Sequence, residues 1–198
     1  MTDAAPFISN AEYLASESLW LRQRAESLAA QEELRRDRAH GGRWSRSTDD
    51  GDSQERRIVR LRDREEATRR RIDARLASGA RRGSFRLGMD QLQAAHDLSP
   101  LERLALLVGA LVSIDQRVSA AIETLDQVSW TTTPNVCLTL AKQGFADRLR
   151  SRASFEPGSP LLRGGLITWT QGTPTAPALT TSTFEISPWA FEVVIEAS

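Results

Sequence analysis

Apolar residues are densest between Leu98 and Glu123, where they recur at helical spacing. The stripe falls at offsets 0, 3, 4, 7, 10 and 11, as in a helix that faces a core, and comprises Leu101, Leu104, Ala105, Val108, Leu111 and Val112. Ser99 and Pro100 predict its start, since a hydroxyl caps free amide groups and proline suits the first helical position, while Glu102 completes a capping box. We therefore predict a buried helix here, with the rest of the chain packed around it.

The N-terminal part has a different pattern, with narrow apolar seams in otherwise charged segments. The spacing predicts one helix from about residue 10 to 39 and a second from about 54 to 77. Between them, residues 41–53 have paired glycines and aspartates and no apolar period, which predicts a mobile loop. Residues 1–78 are therefore expected to form an antiparallel helical hairpin.

Glycine and serine at residues 78–84 predict a helix break and a domain boundary. The pattern beyond it predicts, in order, a short helix at 89–96, the buried helix, a helix capped by Asp115, a helix opened by Thr133 and Pro134, strands at 166–170 and 180–186, and a last helix at 189–196. Helices followed by a two-stranded hairpin indicate a winged-helix-like domain over residues 85–198. The predicted fold class is α+β and mostly α.

Charge adds little to this picture. The 26 basic and 26 acidic residues cancel, so net charge does not point to a polyanionic partner. Residues 55–76 do carry nine arginines against five acids. Because the acids are interleaved and no aromatic platform accompanies the arginines, we favour a solvated helix face over phosphate contacts.

Candidate chemistry is sparse. Cys137 lies between valine and leucine and is expected to be a buried thiol. His96 has no ligand cluster at metal spacing and is expected to end a helix. Lys142, the only lysine, is not preceded by the glycine pattern of a phosphate-binding loop. No nucleophile has a base near it in sequence, so we expect neither enzyme activity nor a bound cofactor or metal in this chain.

Five segments carry a family resemblance: LSPLERLALLVGAL, IDQRV, TPNVCLTL, FADRLRSRASFEPGSPLLRGGLI and FEISPWAFEVVI. Together they resemble the variant winged-helix domain that precedes the ATPase module in a group of bacterial AAA+ ATPases, including those encoded beside extracellular contractile injection systems. The resemblance covers about residues 85–196, and a helical hairpin before it is usual in that family. It rests on spaced apolar residues and on the turn at residues 155–167.

The resemblance implies a non-catalytic recognition and regulatory domain of an AAA+ ATPase. The motor module is not in this chain, so the resemblance implies ATP and magnesium only for that missing part. The chain is then expected to be an N-terminal piece or a stand-alone relative, and a hexamer is expected only for the full-length protein. The expected partner is a protein partner or substrate of the motor, such as a part of the injection apparatus.

A winged-helix DNA-binding regulator is the first alternative. Its candidate DNA contacts are Asn135, Thr139, Lys142, Arg148 and Arg152. Nucleic acid is the less favoured partner, because only Lys142 is positively charged among the side chains expected to be exposed on the helix from residue 134 to 143. A structural coiled-coil adaptor is the second alternative.

Two tryptophans, Trp44 and Trp130, are candidates for contact with a protein partner, since large aromatic side chains dominate many interfaces. The most apolar run is too short and too interrupted by charge to span a bilayer, so no membrane partner is expected. The first residues are acidic and poor in apolar side chains, unlike a secretory leader, which predicts a cytoplasmic protein.

Overall fold

The computed structural model describes residues 4–39, 48–83, 86–126, 132–141, 144–171 and 182–196. In chain order the elements are α1 (Asn10–Ala39), α2 (Thr48–Arg82), α3 (Gly88–His96), α4 (Pro100–Ile114), α5 (Gln116–Asp126), α6 (Pro134–Leu140), α7 (Phe145–Ser151), a 3₁₀ turn (Arg152–Phe155), α8 (Pro160–Arg163), β1 (Ile167–Gln171), β2 (Thr183–Ile186) and α9 (Pro188–Glu196). The predicted mostly α, α+β fold class is confirmed.

The first two helices pack side by side in opposite directions. Arg75 near the end of α2 contacts Glu12 near the start of α1, while Arg38 at the end of α1 contacts Glu55 near the start of α2. The predicted antiparallel hairpin is therefore present. The predicted mobile loop at 41–53 is wrong for residues 48–53, which are helical, and residues 40–47 lie outside the described part. The apolar seam of α2 begins only at Ile58, so periodicity could not reveal this polar start of the helix.

The second helix also extends further than predicted. The expected break at Ser78 and Gly79 is wrong, because α2 continues to Arg82. Ser78 is completely buried, so local packing favours the helix despite the cost of about 1 kcal/mol for a glycine in a helix interior. The chain leaves the helix at Gly83, whose φ of 58° is a left-handed conformation that glycine adopts without steric cost.

The predicted core helix, α4, lies at the centre of the molecule and packs against α1, α3, α5, α6 and β2. The side chain of Ser99 accepts a hydrogen bond from the Glu102 amide, and Glu102 accepts one from the Ser99 amide at 2.8 Å, as the capping box predicts. Leu106 and Leu107 are buried in addition to most of the predicted stripe, of which Leu104 and Val112 are half-buried. A helix covered on most sides has no need of a polar face.

The two strands form an antiparallel hairpin with Ile167 opposite Ile186 and Trp169 opposite Phe184. A bulge follows Trp169, and Thr132 adds an isolated bridge to Phe184 ahead of α6. Trp169 is half-buried and lies edge-on to Phe184 at 6.2 Å between ring centroids. The hairpin therefore closes one side of the core that α4 fills.

One apolar core joins the helical hairpin to the rest of the chain. Tyr13, Leu21 and Ala25 of α1 and Ile72 of α2 belong to the same buried cluster as α4. The division into domains at 1–78 and 85–198 stays a prediction, but α1 packs directly on α4, α5, α6 and α9. Among the described residues, no helix is long and apolar enough to cross a membrane.

Candidate functional site

The helices α6 and α7 form a helix–turn–helix pair. Thr133 accepts a hydrogen bond from the Val136 amide at 3.2 Å and so caps α6, with Pro134 at its first position. Four residues separate the two helices in the sequence, and Gly144, the last of them, is the N-cap of α7. Two helices joined by a short glycine-containing turn are the arrangement in which DNA-binding proteins place the second helix in the major groove.

Three predicted contact residues meet at the junction of these helices. Arg148 of α7 donates from Nη1 to Asn135 Oδ1 at 2.8 Å and from Nη2 to Thr139 Oγ1 at 2.9 Å. All three side chains are half-buried. The sequence prediction that Asn135 and Thr139 are exposed on α6 is thus only partly correct, because they serve as acceptors for Arg148.

The remaining charges of this surface are also paired. Arg150 donates to Asp147 at 2.6 Å on the exposed side of α7. Arg152 lies in the 3₁₀ turn with its Nε 3.6 Å from Glu156 Oε1. Among the described residues, Arg148 and Arg150 therefore donate to acceptors of this surface, while Arg152 forms an ion pair without a hydrogen bond from its Nε. The acidic carboxylates oppose the approach of a phosphate. Lys142, the fifth predicted contact, lies outside the described residues.

The outer face of α7 presents an apolar side chain. Leu149 is 61% exposed, although its position in the pattern predicted a buried residue. Ala146 beside it is also exposed, and Asp147 and Arg150 form its charged border. An apolar centre with a polar rim is the composition of a protein-contact surface.

A family model described as "Winged helix domain, variant" matches residues 1–197. The chain belongs to this variant winged-helix family. No curated protein and no solved structure matches the chain. The matched range includes the helical hairpin, whereas the sequence resemblance covered residues 85–196. The family match therefore includes both the helical hairpin and the helix–turn–helix.

In this winged-helix domain, a buried arginine connects the hairpin to the helix–turn–helix. Arg24 of α1 donates to Glu65 of α2 at 2.5 Å and to the Leu140 carbonyl at the end of α6, from Nε at 2.8 Å and from Nη2 at 2.5 Å. The last carbonyls of a helix lack internal donors, so a guanidinium is a favourable partner. Burial lowers the pKa of Arg24, and the adjacent Glu65 charge opposes that shift.

Sequence reasoning missed Arg24. It lies three residues after Leu21 and next to Ala25, so it interrupts the apolar seam of α1. A charged residue at a seam position is the signal that could have identified it, because buried charges require partners. Only the tertiary structure identifies Glu65 and Leu140 as those partners.

A second polar cluster lies where α1, α2 and α4 meet. Glu17 is 2% exposed and accepts from Arg69 at 3.0 Å, and Arg103 donates to the hydroxyl of the buried Tyr13 at 3.0 Å. Burial raises the pKa of Glu17, while the Arg69 charge opposes this shift. Burial likewise raises the pKa of Tyr13. These groups are engaged with one another in a packed interface and join helices together.

Candidate chemistry elsewhere is equally limited. Cys137 is completely buried, as predicted, and His96 ends α3 against Trp189, with ring centroids 6.0 Å apart. No group of three histidine, cysteine or acidic residues within the described ranges could hold a metal ion. Trp44 and Trp130, the predicted partner contacts, lie outside those ranges.

Proposed function

We propose that this winged-helix domain is a recognition and regulatory module that binds a protein, in place of DNA, on its helix–turn–helix surface. The observation that carries the proposal is that Arg148 and Arg150 donate to acceptors of the same surface and that Arg152 forms an ion pair with Glu156. Specific DNA binding begins from many phosphate contacts, and these arginines would first have to leave their partners. The exposed side chain of Leu149 instead supports a contact between this surface and a protein.

The finer proposal is that the module serves an AAA+ ATPase whose motor lies outside residues 1–198, in a bacterial contractile injection system. The five resemblance segments support this, and α4, α6, α7 and the β-hairpin contain most of them. The domain would hold a substrate or partner for a motor that acts as a hexamer. ATP and magnesium would be bound by that motor alone.

A site-specific crosslink tests the contact surface. A photoreactive amino acid is placed at Leu149 in the full-length gene product in its native cell, and adducts are identified by mass spectrometry. The matched control is Ile114, which is 50% exposed at the end of α4 and does not belong to either helix of the helix–turn–helix. We expect a defined protein adduct from position 149 and none from position 114. Equal adducts from both positions, or adducts with DNA, would refute the proposed surface.

Two further measurements test the class of function. A labelled DNA duplex is titrated with the purified chain at low salt, where phosphate contacts are strongest. We expect no binding, and a salt-dependent complex that Arg148→Ala removes would favour the DNA-binding regulator. The full-length product is also purified from the native cell. If it neither contains nor co-purifies with an ATPase, the proposed motor association fails.

A further inference from the structure

Side chains of the first helix, α1, reach the ends of four other helices. The side-chain carbonyl of Asn10 accepts a hydrogen bond at 3.2 Å from the Gly88 amide, with which α3 begins. The other three contacts join Tyr13 to Arg103 in the first turn of α4, Ser18 to Asp115 directly before α5, and Arg24 to the Leu140 carbonyl at the end of α6. Backbone groups at helix ends lack partners in their own helix, so outside partners help to fix where these ends lie. The hairpin therefore positions helices in the rest of the chain.

The contact of Arg24 also includes the second helix of the hairpin, α2. One guanidinium donates to the carboxylate of Glu65 and, through two of its nitrogens, to the Leu140 carbonyl. The Arg24 side chain is only 8% exposed. A buried charge requires a counter-charge, which Glu65 provides. The position of Arg24 at α6 therefore depends on α2 remaining packed against α1.

The Leu140 carbonyl lies at a sensitive point of the helix–turn–helix. It belongs to the last residue of α6, from which the chain continues to α7 and the exposed Leu149. The two hydrogen bonds of Arg148 attach α7 to α6. Because α6 also packs against α4 and α5, the body of the helix stays in the core when Arg24 moves. The last turn of α6 is the part that responds, and α7 responds with it.

We infer that Arg24 is a positioning residue through which the helical hairpin regulates the contact surface on α7. When α2 separates from α1, the guanidinium loses Glu65, and turning toward solvent avoids a buried unpaired charge. The Leu140 carbonyl then loses its donors, and α7 loses its fixed position. A partner that engages α2 can thus alter the surface around Leu149 without touching it. This inference rests on the function proposed for that surface.

The hairpin contains a second ion pair that should not have this effect. Arg38 and Glu55 join the same two helices, but their side chains are 65% and 56% exposed. Loss of Glu55 leaves Arg38 in water, where a charge needs no partner. Regulation through a buried charge is therefore expected from Glu65 and not from Glu55, although both lie on α2.

The test compares variants of the chain by hydrogen–deuterium exchange and mass spectrometry. Glu65→Ala removes the buried carboxylate, and Glu55→Ala is the matched control, since alanine favours a helix at both positions. Gly88→Ala is a second control because it disturbs the contact of α3 with Val193 and so lowers stability elsewhere. Exchange is compared between the amides of α6 and α7 and those of α3 and α9.

We expect Glu65→Ala to accelerate exchange in α6 and α7 about tenfold, and in α3 and α9 less than about twofold, because local opening is separable from global unfolding. Glu55→Ala should change neither pair of helices. In an Arg24→Met background, Glu65→Ala should add less than about twofold in α6 and α7. The guanidinium that transmits the change is absent there, so the two substitutions are not additive.

Four results would overturn the inference. Exchange that rises equally in all four helices would mean a general loss of stability. Unchanged exchange in α6 and α7 would mean that Arg24 keeps its position without Glu65. An undiminished effect in the Arg24→Met background would mean that Arg24 does not transmit it. Equal acceleration of α6 and α7 by Gly88→Ala would mean that these helices respond to any destabilisation.

The exchange measurement does not depend on the function proposed for α7. In the full-length protein, the photocrosslink from position 149 tests that function, and we expect Glu65→Ala to lower the yield of the adduct. If no adduct forms even with Glu65 present, the proposed surface fails, whatever the exchange data show. If the adduct forms and its yield is the same in Glu65→Ala, the surface is supported and its regulation by the hairpin is refuted.

Discussion

The buried pair of Arg24 and Glu65 leads to a quantitative prediction about stability. Their side chains are 8% and 5% exposed, and Arg24 also supplies two hydrogen bonds to the Leu140 carbonyl. Arg24→Met keeps most of the apolar length of the side chain but leaves the carboxylate of Glu65 buried without its guanidinium. Removing one partner of a buried pair costs about 3–5 kcal/mol of unfolding free energy. For a chain of this size, that lowers the melting temperature by roughly 6–20 °C.

A double-mutant cycle separates the charge from the packing. Replacing both residues, as in Arg24→Met with Glu65→Leu, removes the uncompensated charge as well as the pair, and such replacements are often neutral. The Leu140 carbonyl still loses its donors, which costs about 1–3 kcal/mol. We therefore expect the double variant to be more stable than Arg24→Met alone.

The assay is urea unfolding followed by circular dichroism, with the free energy extrapolated to water. The matched control is Arg38→Met, because Arg38 and Glu55 join the same two helices but are 65% and 56% exposed. Exposed pairs contribute at most about 1 kcal/mol. Equal losses for Arg24→Met and Arg38→Met, or a double variant that loses the sum of its single variants, would refute the reasoning.

Two further predictions concern a close contact and an acidic group. Gly88→Ala would place its Cβ 1.9 Å from the Val193 carbonyl oxygen, so we expect a loss of about 1–3 kcal/mol in urea unfolding, whereas Gly158→Ala meets nothing within 4 Å and should cause no loss. The Ser18 hydroxyl is the main cause that lowers the pKa of the Asp115 carboxyl below 3.8, so its stabilisation is present above pH 3.8 and is lost as the pH falls through the lowered pKa. Ser18→Ala should therefore destabilise the chain by about 1 kcal/mol at pH 7, and a deficit that persisted undiminished at low pH would contradict this.

Residues with strong local preferences were predictable from the sequence. The capping box of Ser99 and Glu102 and the hydroxyl–proline start of α6 lie where predicted, because a cap depends on neighbours three residues away. The boundaries of α2 were not predictable in this way. Its continuation through Gly79 follows the burial of Ser78, which depends on residues distant in the sequence.

The candidate site was only partly predictable. Residue type identified Asn135, Thr139 and Arg148 as polar groups near one helix, but their mutual hydrogen bonds depend on how α7 turns back on α6. Leu149 was expected inside because its sequence spacing continues a buried face. The folded chain leaves that side of α7 uncovered, so the side chain is 61% exposed.

The sequence by itself determined most of the helices, the strand pair, the buried helix α4 and the absence of a phosphate-binding loop, because these follow from side-chain periodicity and from which residues are present. The tertiary structure decided which charges meet. Arg24 joins three helices only once α1, α2 and α6 are packed together. Its partners Glu65 and the Leu140 carbonyl lie 41 and 116 residues away in the sequence, so no local pattern could identify them.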